Sequence, residues 1–261
     1  MSRLPPLPLP PARGARPARF LASLAFMVMV VGIASRHLDF ISSATMYAAV
    51  IVGLLLGLAA LGVVSVTVRD VWHEGRRGAN SAFGSLLLII ATFSPLIGGL
   101  AAYIAYPALD SVSTDTDDPP AAPAGFKQVA LPIDLRAAPD DAPSLQEDAY
   151  PDLTTQAADL STVEAYALAR QTTDDLGWTI RLAEEPDTEA ASGRIEAEAR
   201  SMVLGTQEDI VVRIRPGDGG GSRIDVRSLS RVAMPDLGEN ARHVGDFIAR
   251  FAEMSRRQDA N

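Results

Sequence analysis

Three apolar runs in the first 109 residues constrain this chain more than any other feature of its sequence. They extend over 20–35, 40–68 and 83–109 and lack charged side chains. About 20 apolar residues span a bilayer core and about 17 suffice at the low end, so the second and third runs predict transmembrane helices. The first run has 16 residues. It is either a retained helix, which its length favours, or a cleaved signal peptide.

A transmembrane region is therefore expected over 20–109, with spans at about 20–36, 41–68 and 83–107. Arginines around the runs predict its orientation, because positively charged loops stay on the cytoplasmic side. Four arginines precede the first run and three follow the second: Arg3, Arg13, Arg16, Arg19, Arg69, Arg76 and Arg77. The tail 1–19 is then cytoplasmic, and the C-terminal half lies in the periplasm of a bacterium with two membranes. These features predict a multi-pass inner-membrane protein.

Charge and composition argue against several functions. Residues 1–109 carry a net charge of +5, whereas residues 110–261 carry a net charge of −14. Nucleic acid is not expected as a partner, because its binding requires a basic surface. The runs also lack the intramembrane charges of ion-coupled transporters, so we interpret them as an anchor in the lipid bilayer. The chain has no cysteine, which removes thiolate metal sites and cysteine nucleophiles.

The soluble half divides into a linker and a domain. Residues 110–125 are acidic and proline-rich, which predicts an extended linker, and residues 126–257 are expected to form the domain. Ser161 and Glu164 have the spacing of a helix capping box, and Gly177 is suited to end that helix. Asp236 is placed to cap a closing helix. Alternating apolar residues predict strands at 178–185, 194–204, 207–215 and 223–232.

This order predicts an α+β domain consisting of a helix, a four-stranded antiparallel meander and a helix, with both helices on one face. A two-residue turn at 205–206 would align Glu198, Arg213 and Asp225 in one cross-strand row. It would also place Glu196 opposite Arg215. Arg213 and Arg215 are then expected to stabilise the sheet through opposite-charge pairs.

Several segments resemble one bacterial family. The segments LGW, GRIEAEA, EDIVVRIRP and VRSLSRVAMPDLGENA occur here in order, and they are similar to the domain-of-unknown-function family 1499 over roughly residues 113–252. This chain looks like a membrane-anchored form. It departs from the family signature at Ala233, where glycine is usual, and at Met234 and Pro235. The resemblance implies a fold and a membrane anchor but no reaction.

The signature also supplies candidate site residues: Arg227, Ser228, Arg231, Asp236 and Asn240. They lie at a strand end and the following helix start, a position suited to anion binding. The alternative is that the arginines pair with carboxylates and that Asp236 and Asn240 serve the helix cap. No cofactor is expected and no metal motif is recognisable, since EF-hand and H-E-x-x-H spacings are lacking. His243 is expected on the helix surface.

Two classes of function follow. The first is a non-catalytic envelope binding or assembly module, held at the inner membrane, that meets a lipid, glycan or protein partner. The alternative is a membrane-anchored periplasmic enzyme, a hydrolase or ligand-processing enzyme, with a site near Arg227, Arg231 and Asp236.

Overall fold

The computed structural model describes residues 9–129, 141–232 and 234–259. Arg3 and Ala233, which the sequence analysis used, lie outside these residues. The chain divides into two compact units. The first contains the N-terminal helices and the second contains the mixed α+β domain.

The N-terminal region contains three long helices: α1 (Ala15–His37), α2 (Ser43–Glu74) and α3 (Ala79–Ala105). The boundary between the two units falls within α3, after Gly98. All three helices are long and apolar enough to cross a membrane. Small side chains such as Ala22 and Ala60 are buried between the helices, while Leu55 and Ile90 stay more than half exposed. Apolar side chains directed outward suit lipid and not water. The membrane-anchored form that the sequence predicts is thus supported.

The second unit contains a six-stranded antiparallel sheet. Its strands are β1 (Ser111–Ser113), β2 (Gln156–Ala158), β3 (Thr179–Glu184), β4 (Gly193–Arg200), β5 (Gln207–Pro216) and β6 (Ser222–Ser230). The predicted meander is present as β3 to β6. The predicted count of four strands is wrong, because β1 and β2 both pair with β6. Each has three residues, too few to show a readable alternation.

Three helices complete this unit: α4 (Ala142–Ala149), α5 (Thr162–Asp175) and α6 (Glu239–Asp259). Helix α4 was not predicted, since its segment is short and contains proline and acidic residues. At α5 the capping box of Ser161 and Glu164 is present as predicted, and Gly177 follows with a φ of +71°. Leu168 of α5 and Phe247 of α6 pack with Ile210 and Val226 in one buried core. We call this side of the sheet the inner face and the opposite side the outer face.

The two hairpins differ in how well their register was predicted. Between β5 and β6, Ile214 pairs with Ile224, as expected. Between β4 and β5, Ala197 pairs with Ile210, so the expected register is displaced by four residues. The reason is a longer loop, closed by a hydrogen bond from Ser201 N to Thr206 O of 2.9 Å. Since four is an even number, each residue keeps its predicted face.

The corrected register changes the predicted charge rows. Glu198 lies opposite Asp209, Glu196 opposite Val211, and Arg213 opposite Arg194. The row Glu198–Arg213–Asp225 and the pair Glu196–Arg215 are therefore wrong. Arg213 does lie opposite Asp225, as expected.

The segment treated as a linker contacts the outer face of the sheet. We refer to residues 111–129 as the strap. After β1, Asp115 and Asp118 of the strap form ion pairs with Arg213. The carbonyl of Ala121 accepts a hydrogen bond from Arg194. The amide of Val129 donates to the carbonyl of Arg231 at 2.8 Å. Helices thus cover one face of the sheet and an acidic segment lies along the other.

Candidate functional site

The five predicted site residues are divided between the two faces of the sheet. Ser228 and Asn240 are buried on the inner face, and Asp236 lies with them at the start of α6. Arg227 and Arg231 belong to the alternate positions and face outward. The two arginines are separated from Ser228 because neighbouring residues of a strand point to opposite sides of the sheet.

On the inner face, a chain of hydrogen bonds joins β6 to α6. Ser228 Oγ donates to Asn240 Oδ1 at 2.6 Å, and Asn240 Nδ2 donates to Ser230 Oγ at 3.0 Å. Asp236 accepts from the amide of Asn240 at 2.6 Å and from that of Gly238 at 3.2 Å. Both carboxylate oxygens are thus turned toward backbone amides. This is the geometry that the capping interpretation predicts.

Asp236 nevertheless has unusual electrostatics. Burial raises its pKa to about 6, and the charge of Glu208 acts in the same direction. The amides of Asn240 and Gly238 oppose this shift because they favour the ionised form. The pKa of Asp236 therefore lies well above the usual range of an aspartate. Its oxygens are, however, oriented to the helix start and not to an open cavity.

On the outer face, Arg231 is held by carboxylates. Its guanidinium donates to both oxygens of Asp209, at 2.8 and 2.6 Å, and to Glu198 at 2.5 Å. The hydrogen bonds to Asp209 raise the pKa of Arg231 further, despite its burial. Burial would raise the pKa of Glu198, but hydrogen bonds from Arg181 and Arg231 outweigh it and lower that pKa.

This charged cluster forms one wall of a groove with a volume of about 380 Å³. The strap supplies the other wall through residues 123–127, including Phe126 and Lys127. Three cationic and three anionic side chains line the groove: Lys127, Arg181, Arg231, Glu196, Glu198 and Asp209. The lining is thus rich in hydrogen-bonding groups and has no net charge. Of the five predicted site residues, Arg231 alone lines this groove.

A second cluster on the outer face holds the strap in place. Asp225 is fully buried and accepts hydrogen bonds from Arg213, Arg215 and Thr155. Burial would raise the pKa of Asp115, but the Asp118 amide and both arginines lower it. Arg213 and Arg215 were expected to pair with carboxylates of neighbouring strands, and both pair with Asp225 of β6. Their remaining partners come from the strap.

Arg227 lies apart from both clusters. It donates to Ser111 Oγ at 3.0 Å and to the carbonyl of Pro120 at 3.1 Å. Burial lowers its pKa. Within the described ranges no carboxylate forms an ion pair with it, so Arg227 joins β6 to the strap through neutral acceptors.

His243 does not lie on the helix surface, so that prediction is wrong. It is buried, at 2% exposure, and its ring lies edge-on to Trp178 at a centroid distance of 5.9 Å. The sequence held a signal for this: His243 precedes Phe247 by four residues, and residues four apart share one face of a helix. Glu208 is the second buried ionisable residue that was missed. It occupies the same alternating positions as Ile210 and Val212 and therefore faces inward.

Comparison with known proteins agrees with the resemblance. The sequence profile of the family described as "Protein of unknown function (DUF1499)" matches residues 111–251. The match begins at β1 and ends in α6, so it covers the strap, the sheet and the helices of the second unit. No curated protein and no solved structure matches the chain.

Proposed function

The chain belongs to the DUF1499 family, and we propose that it is a non-catalytic envelope binding module whose groove accepts a neutral, hydroxyl-rich ligand such as a cell-envelope glycan. The observation that carries the proposal is the groove between the strap and the charged cluster of Arg231. Its volume of about 380 Å³ falls within the range of about 300–1,000 Å³ usual for ligand pockets.

The charges favour a glycan over an anionic lipid. Arg181 and Arg231 already donate to carboxylates. Lys127 is then the lining cation that has no carboxylate partner among the described residues, and a single ammonium group lacks the bidentate geometry with which arginine binds phosphate. Residues 110–261 carry a net charge of −14, which repels anionic headgroups. Hydroxyl groups, by contrast, both donate and accept hydrogen bonds. They fit a lining that contains both donors and acceptors, and Phe126 offers an apolar surface in the same groove.

The enzyme alternative receives less support. It required Arg227, Arg231 and Asp236 to act on one substrate, but Asp236 lies with α6 on the inner face while the two arginines face outward. A shared substrate would have to contact both sides of the sheet. We therefore favour the binding module.

The binding proposal can be tested with the full-length protein in detergent and particles of chitin, an insoluble neutral polymer of N-acetylglucosamine. Co-sedimentation should retain the wild-type chain with the particles. Arg181→Gln should weaken binding because it removes a donor from the groove, whereas Arg250→Gln should not. Arg250 is a matched control, since it also donates to carboxylates, those of Asp175 and Glu253, but it lies on α6 and does not line the groove. Equal binding by both variants would overturn the assignment of the groove.

We also propose that the α+β unit lies in the periplasm and that the loop between α2 and α3 is cytoplasmic. The supporting observation is the distribution of arginines around the helices. The chain has no cysteine, so single cysteines can be labelled without background. In intact cells with a permeabilised outer membrane, an impermeant thiol reagent should modify Asp187→Cys but not His73→Cys. Labelling of His73→Cys before lysis would show the opposite topology and overturn this proposal.

A further inference from the structure

A buried pair of ionisable side chains lies on the inner face, at the start of β5. Glu208 is 4% exposed and His243 is 2% exposed. Glu208 Oε2 lies 2.8 Å from His243 Nδ1. Glu239, one helical turn before His243, is partly exposed and brings a second carboxylate. One potential ligand atom from each of the three residues lies within 4.8 Å of the other two.

The contact between Glu208 and His243 is not an ordinary hydrogen bond. Although the two atoms are 2.8 Å apart, neither Glu208 Oε2 nor His243 Nδ1 has a hydrogen-bond partner of acceptable direction in the part of the chain that the structure describes. An N–H on Nδ1 would therefore point away from the carboxylate. Leaving such buried groups without a hydrogen bond is unfavourable. A cation lying between them would satisfy both.

The surroundings of the imidazole allow Nδ1 to act as a ligand. His243 Nε2 lies 3.3 Å from the carbonyl oxygen of Arg200, so a proton on Nε2 can be donated there. A histidine that binds a metal commonly donates its other ring N–H to a backbone carbonyl or a carboxylate. Arg242 Nη2 lies 2.9 Å from the same nitrogen and favours the opposite tautomer. Binding of a cation at Nδ1 would shift the ring from one tautomer to the other.

The local charge also favours a cation. Arg242 donates to Glu239 Oε2 at 2.6 and 3.2 Å and so balances one carboxylate. Glu239 Oε1 has no hydrogen-bond partner among the described residues, and Arg242 also interacts electrostatically with buried Glu208. One arginine therefore faces two carboxylates, which leaves a net negative charge for a cation. Burial of a carboxylate without a counter-charge is costly.

We propose that Glu208, Glu239 and His243 form a binding site for a divalent transition-metal ion, with Zn²⁺ as the first candidate. One imidazole nitrogen with two carboxylates is a donor set that suits Zn²⁺. Mg²⁺ and Ca²⁺ prefer oxygen ligands alone. The site lies on the inner face, whereas the groove lies on the outer face, so it does not depend on the proposed function.

The test is a Zn²⁺ titration of the full-length chain in detergent, after removal of metal with a chelator and of any affinity-tag histidines. Isothermal titration calorimetry should give one saturable site per chain. Glu239→Gln should weaken the affinity by about 10- to 100-fold or more, the loss typical even for outer-shell changes. Glu239 is chosen because it is partly exposed, so the fold should survive, and circular dichroism checks this.

Asp246→Asn is the matched control. Asp246 pairs with the same Arg242, at 2.9 Å, but lies outside the cluster, so this variant should bind Zn²⁺ like the wild type. A second measurement needs no change in the cluster. Substituting His37 and His73 with glutamine leaves His243 as the one histidine, and Co²⁺ should then shift its ring signals in the NMR spectrum. Lack of saturable Zn²⁺ binding by the wild type, equal affinity of Glu239→Gln, or unshifted His243 signals would overturn the proposal.

Discussion

Replacing Asp225 with asparagine should destabilise the α+β unit strongly. Asp225 is 0% exposed and accepts hydrogen bonds from Arg213 Nη2 at 3.0 Å, Arg215 Nη2 at 2.8 Å and Thr155 Oγ1 at 2.6 Å. Asp225→Asn conserves the volume but removes the charge opposite two partly buried guanidinium groups. Removing one member of a buried ion pair costs about 3–5 kcal/mol.

The lower end of this range applies here, because Asp115 and Asp118 still pair with both arginines. We expect a loss of about 3 kcal/mol in the free energy of unfolding. In a unit of this size, about 1 kcal/mol lowers Tm by about 2–4 °C, so the expected decrease is about 6–12 °C.

Asp118→Asn provides the matched control. Asp118 pairs with the same two arginines, at 3.0 and 3.1 Å, but its side chain is 69% exposed. Exposed ion pairs contribute about 0–1 kcal/mol, so Tm should fall by less than about 4 °C. The two substitutions thus differ mainly in burial.

Tryptophan fluorescence can follow this unfolding in the full-length chain. The sequence has two tryptophans: Trp72 in α2, and Trp178, which stacks on Phe247 in the second unit. In a Trp72→Phe background, the fluorescence of Trp178 reports the α+β unit alone. If Asp118→Asn lowers Tm as much as Asp225→Asn, burial does not set the strength of these ion pairs and the reasoning is refuted.

Three further predictions concern the same unit. Burial raises the pKa of Asp236 from 3.8 to about 6, so the folded state binds this proton more tightly than the unfolded state. Protonated Asp236 therefore stabilises the fold at low pH, and this contribution is lost as the pH rises from about 4 to about 6. In buffer with a chelator, Asp236→Asn should gain about 2–3 kcal/mol of unfolding free energy relative to the wild type across that interval, and a constant difference would contradict it. Ser161→Ala removes the capping box of α5 and should cost about 1 kcal/mol in denaturant unfolding; no loss would show that the cap is dispensable. Gly193→Ala places a Cβ 2.7 Å from Tyr166 Cδ2 and should cost about 1–3 kcal/mol, detectable as a lower Tm, and an unchanged Tm would mean that the ring moves aside freely.

Local features of the fold were predicted well from the sequence. The capping box at Ser161, the stop at Gly177 and the register between β5 and β6 depend on residues close together in the chain. Register between β4 and β5 was not recoverable, because it depends on how the loop at 201–206 closes. The strands β1 and β2 were missed because each forms through pairing with β6.

The candidate site shows the same division. Sequence proximity grouped Arg227, Ser228, Arg231, Asp236 and Asn240, and alternation along β6 then separated them between two faces. Glu198, Asp209 and Lys127, which line the groove beside Arg231, come from β4, β5 and the strap. The pattern of the signature alone does not bring these residues together.

The sequence by itself determined the three apolar helices, the acidic character of the second unit, its meander of four strands and the closing helix. Each of these depends on composition or on a short periodicity, which act over a few residues. Only the tertiary structure decided that the acidic segment lies along the sheet, that Asp225 is buried between arginines and that Glu208 meets His243. The contacts of the acidic segment and of Glu208 join residues far apart in the chain. The energy of all these contacts, including those of Asp225, depends on burial, which the order of residues does not specify.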